Sequence, residues 1–93
     1  MTTTNLNLYI ENEYTIYRLV EWLTSCVEKR IRKGAAVTVE HLANCSMMKT
    51  IIRMSVKMCK EYGEPTADKE ERAAVARMQA ENIIENARYL AAC

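Results

Sequence analysis

VTVEHLANCSMMKTIIRMSVKMCKEYG, residues 37–63, decides how many helices this chain has. Read as one helix, its apolar face loses register. From Leu42 that face should continue at 45, 46 and 49, but Ser46 and Lys49 stand there. From Met48 a new phase runs cleanly through Ile51, Ile52, Ser55, Met58, Cys59 and Tyr62. Steps of three and four residues mark one side of a helix. The stretch therefore predicts a short helix from Val39 to about Asn44 and a longer one from about Met47 to Tyr62. Thr38 can cap the first, with Val37 and Leu42 at the two positions of a hydrophobic staple. Ser46 is the expected cap of the second.

Upstream, Ile16, Leu19, Val20, Leu23, Cys26, Val27 and Ile31 share one face and predict a helix from about Glu13 to Lys33. Asn12 is its expected N-cap, and Gly34 the residue that stops it. Downstream, residues 63–66 read as a linker. Thr66 or Asp68 then starts a last helix that runs to about Ala91, with Asp68 and Glu71 fitting a capping box. Ala73, Ala76, Ala80, Ile83, Ile84, Ala87 and Ala91 make its main face. Val75 and Met78 lie on the opposite side, which predicts a second neighbour and points toward an oligomer. Leu6, Leu8 and Ile10 alternate with polar residues and Tyr9, a period of two that predicts an extended arm over 1–12. The expected fold is all-α: one domain over 1–93, a small three- to four-helix bundle with a split middle helix and an extended N-terminal arm.

Composition agrees. The apolar fraction is 49% and the charged fraction 27%, values of an ordinary globular chain. Two glycines and one proline leave few interruptions for helices. No stretch approaches the roughly 18 apolar residues of a membrane span, and the N-terminus has no basic start followed by an apolar run. The four cysteines, at 26, 45, 59 and 93, show no paired spacing. They read as reduced and small-hydrophobic, and the expected compartment is cytoplasmic.

Catalytic and metal chemistry find little footing. His41 and Cys45 are four apart, a spacing that can share a metal, but this is the only histidine and a zinc site needs three or four ligands. The expected helix break between them also spoils the geometry. Glu81 and Glu85 share a face, but Arg77 and Arg88 stand within helical ion-pair reach of them. No glycine-rich phosphate loop accompanies any nucleophile. The expectation is a non-enzyme with no cofactor, no metal and no small-molecule substrate.

Charge is the more informative signal. Residues 28–60 carry eight Lys or Arg against Glu28 and Glu40, whereas the flanking thirds are acidic on balance. Lys49, Arg53, Lys57 and Lys60 step by four, four and three, a sector about 80° wide at 100° per residue. A short helix, a turn and a basic helix resemble in outline a helix-turn-helix reader, in which Ser46, Thr50 and Lys49 would face bases. Met47 stands where that motif has its turn glycine, and the spacing to Thr50 and Ile51 is two residues short. Leu6, Leu8, Ile10, Met47, Met54, Val75 and Met78 are the candidates for protein contact, because methionine-rich faces adapt to partners. The leading expectation is a protein-interaction module that binds itself or another protein, as a homo-oligomer. The alternative is binding of DNA or RNA through the basic stripe.

Overall fold

The break expected near Asn44 divides two helices in the computed structural model, which describes residues 3–93. The chain forms α1 (Thr3–Asn12), α2 (Tyr14–Arg32), α3 (Val39–Ala43), α4 (Ser46–Glu61) and α5 (Lys69–Ala92), with no strand among the described residues. The all-α bundle is as expected. Its long pair, α2 and α5, makes the most extensive contact; α3 lies on α5, and α1 fills the space against α4, α2 and α5. Buried side chains from all five helices join in one core, with Leu6, Ile16, Leu42, Ile51 and Ile83 among them. No described helix is long and apolar enough to cross a membrane.

The helix ends follow from local chemistry. Thr38 caps α3 by accepting from the His41 backbone N–H at 3.1 Å. Asp68 and Glu71 close the capping box that starts α5. After α2, Gly34 takes φ 87°, and Ala35 N–H reaches back to the Arg30 carbonyl at 3.0 Å. Gly63 repeats the device after α4 with φ 73° and Glu64 N–H on the Cys59 carbonyl at 2.9 Å. Both are Schellman closures, which need a left-handed residue and so favour glycine.

Three expectations need correction. The extended arm over 1–12 is a helix from Thr3 to Asn12, while Met1 and Thr2 lie outside the described residues. Leu6 and Ile10 are 0% and 1% exposed, but Leu8 is 52% exposed. A strand would have put all three on one face; a helix pairs 6 with 10 and turns 8 away. A lone strand would also have left its backbone without partners, which a helix supplies internally. Asn12 consequently ends α1 rather than capping α2. Glu13, a single extended residue at φ −83° and ψ 116°, separates the two helices and makes no side-chain cap. Third, the cap of α4 is Cys45, not Ser46: its Sγ accepts from the Met48 N–H at 3.4 Å.

The helical α1 also explains α5's broad apolar surface. Val75 is fully buried and Gln79 nearly so. Gln79 Nε2 donates to Asn7 Oδ1 of α1 at 3.0 Å. The second neighbour expected for α5 is thus α1 of the same chain.

Candidate functional site

The basic stripe of α4 is open. Lys49, Arg53, Lys57 and Lys60 are all exposed, and none forms an ion pair among the described residues. The acidic last helix does not cover them. Glu81 and Glu85 instead line a cleft with Val37, Thr38 and Val39 at the α3–α5 contact, where Arg88 also sits. Arg77 of α5 reaches Glu40 of α3 at 4.0 Å.

Beside the stripe lies a groove of about 410 Å³ between α4 and the first turns of α5. Its apolar lining is Ile52 and Val56 of α4, Ala73 and Ala76 of α5, and Ala43 of α3. Its charged lining is Lys49 and Arg53 from one side and Lys69 and Arg72 from the other, and no carboxylate lines it among the described residues. Arg72 is held by a bond from its Nη1 to the Ala67 carbonyl at 2.6 Å. The signal for Lys69 and Arg72 was in the capping box, which fixes them at the first and fourth positions of α5, but the sequence pattern did not show that this end of α5 meets α4.

The other expected nucleic-acid contacts are placed less favourably. Ser46 is exposed at the start of α4, but the Thr50 hydroxyl donates back to the Ser46 carbonyl at 3.1 Å. Among the expected protein contacts, Leu6, Ile10 and Val75 are core residues and closed to any partner. Met47 and Met54 are half-buried against the core. Leu8 and Met78 remain exposed, with Asn7 Nδ2 3.2 Å from the Met78 sulfur. His41 is exposed in α3 and Cys45 lies beyond its end, so the two do not share a helix. No group of three metal-binding side chains occurs among the described residues.

Two features were not foreseen. A cleft of about 400 Å³ runs along the α2–α5 seam, lined by Tyr17, Val20, Thr24, Asn86, Tyr89 and Leu90 among others. Tyr17 is 43%, Leu90 42% and Tyr89 72% exposed. Its signal was Tyr17 on the flank of the α2 apolar face, but the matching Tyr89 and Leu90 follow the last core turn of α5. The second feature joins α1 to the end of α4. The Tyr9 hydroxyl donates to Glu64 Oε2, and the Tyr9 and Tyr62 rings stack with centroids 5.6 Å apart. The hydrogen bond to Glu64, desolvation and the Glu64 charge push the Tyr9 phenol up to about 12. Burial, and then Glu64, also pushes the Cys59 thiol above its usual range.

Comparison of the chain with family models, with curated proteins and with solved structures gives no match.

Proposed function

We propose that this chain is a non-enzymatic protein-interaction module that associates with a second copy of itself through the α2–α5 seam. The observation that carries this reading is the juxtaposition of a protruding Tyr89 with an open cleft lined by Tyr17, Val20 and Leu90. A twofold axis here inserts the Tyr89 of each copy into the cleft of the other. Such an interface uses the same patch twice and needs complementarity only to itself. Tyrosine suits the role, offering a large contact area at low conformational cost and a hydroxyl that keeps a polar partner. A chain of this size buries a modest fraction of its surface by itself, so covering the seam adds stability that the monomer lacks.

The test is the solution mass of the protein and of Tyr89→Glu. The module reading expects a mass above 10.7 kDa for the parent and 10.7 kDa for the variant. A parent that stays at 10.7 kDa at all concentrations contradicts it.

A second reading, binding of DNA or RNA through α4, is favoured by the exposure of all four cations of the stripe, although Glu13 and Glu61 line a cleft with Lys57. It expects binding that weakens steeply with salt and is lost with Lys49→Glu and Arg53→Glu. Undetectable binding to mixed-sequence DNA and RNA at low salt ends it.

A further inference from the structure

We propose that the groove between α4 and the start of α5 docks a short amphipathic helix of a partner protein, one whose apolar face is flanked by Asp or Glu. This deepens the reading of the chain as an interaction module but not its self-association, because the groove and the α2–α5 cleft share no residue.

The shape of the groove sets the kind of occupant. From Lys49 to Val56 along α4, and from Lys69 to Ala76 along α5, it extends about 10 Å, two turns of helix. Ile52 and Val56 make an aliphatic wall, and Ala73 and Ala76 a shallow one that lets a backbone approach closely. That is the arrangement by which helix-in-groove sites receive anchors at i, i+3 or i+4, and i+7. The volume of about 410 Å³ is sufficient for side-chain anchors.

Charge selects among the helices that fit. Cations stand on both banks, Lys49 and Arg53 on α4 and Lys69 and Arg72 on α5, so an occupant needs carboxylates on both flanks of its apolar stripe. Lys69 and Arg72 also stand in the first turns of α5, where the helix dipole disfavours positive charge. A local rule broken at the lip of a groove is the pattern of a residue kept for a ligand. The acids of the same turn do not line the groove: Asp68 and Glu71 are engaged in the capping box, and Glu70 is turned about 100° from Lys69.

Nucleic acid fits the same lining less well. Asn44 and the four cations offer donors to a phosphate backbone, but the apolar floor between them does not, and among the described residues no aromatic side chain lines the groove for a base to stack on. The Thr50 hydroxyl, nearest to a base-reading position, already donates to the Ser46 carbonyl.

The test uses the full chain and a fluorescent peptide of about 12 residues, three helical turns, with Leu at i, i+4 and i+7 and Glu flanking them. Binding is expected to be saturable. It should weaken about tenfold or more with Lys49→Glu plus Arg53→Glu, and as much with Ala73→Phe, which fills the groove from an exposed position. Circular dichroism and Tm of both variants should match the parent. A Leu→Ser peptide of the same charge should also bind about tenfold more weakly. Equal binding of that peptide overturns the proposal, and so does no binding by a panel of Leu/Glu peptides of i+3 and i+4 spacing at about 1 mM. Tighter binding of single-stranded or duplex DNA of similar length, unaffected by Ala73→Phe, also overturns it and assigns the face to nucleic acid. The solution mass of Ala73→Phe should equal that of the parent, so failure of the groove and failure of self-association are read separately.

Discussion

Leu6→Ala tests whether the N-terminal segment is a structural helix. Leu6 is wholly buried in the core, and Leu8, two residues on, is 52% exposed. Truncating a buried leucine removes its transfer free energy and leaves a cavity, together about 2–5 kcal/mol. Taking about 3 kcal/mol, and roughly 5 °C of Tm for each kcal/mol in a domain of this size, Leu6→Ala should lower Tm by about 15 °C. Ile10→Ala should behave similarly, because Ile10 is 1% exposed one turn away. Leu8→Ala should cost no more than about 0.5 kcal/mol, or a few degrees. Thermal unfolding followed by circular dichroism measures all three. Equal effects at 6, 8 and 10 would refute the helix, because only an extended segment puts these three side chains on one face.

Other outcomes follow from the caps and the Tyr9 contact. Asp68→Ala removes the side-chain half of the α5 capping box and should cost about 1 kcal/mol, read as a drop in Tm of roughly 5 °C. Cys45→Val keeps the apolar bulk but loses the acceptor for the Met48 N–H, and should cost about 1 kcal/mol by denaturant unfolding; Cys45→Ser should cost less. The Tyr9 phenol is raised from 10.0 to about 12, so its contribution is fully present below pH 10 and lost as pH rises through about 12. Tm should therefore fall across that window more steeply for the parent than for Tyr9→Phe, and an ultraviolet titration of the parent should show a tyrosine ionisation near pH 12 that Tyr9→Phe lacks. Identical profiles for the two proteins would remove the Glu64 bond as the cause.

Much of the fold was legible because helix ends and helix faces are local. The Thr38 cap, the Asp68 and Glu71 box and the Gly34 stop lie within a few residues of the backbone groups they satisfy. The phase slip between Leu42 and Met48 was likewise visible in spacing alone. The N-terminal segment was misread because Leu6 and Ile10 fit a period of two as well as a step of four, and only the exposure of Leu8 distinguishes them. Val75 was misread for the same reason: with α1 taken as an arm, nothing was left to cover it. The thiol cap at Cys45 was missed because an adjacent serine offered a better acceptor one residue too late.

The candidate surfaces divide along the same line. The Lys49–Lys60 stripe lies on one helix, so its spacing showed it. The groove and the aromatic cleft each form between helices distant in sequence, α4 with α5 and α2 with α5. Lys69 and Arg72 read as part of an acidic segment, although they face the basic one. Sequence periodicity shows which face of a helix is apolar, but not which other helix meets its edge.

The most direct test of the interaction reading is sedimentation equilibrium of the parent chain and of Tyr89→Glu over a wide concentration range. The account predicts a mass above 10.7 kDa for the parent, rising with concentration toward twice that value, and 10.7 kDa throughout for the variant. A parent that remains at 10.7 kDa throughout, or a Tyr89→Glu protein that associates as strongly as the parent, contradicts it.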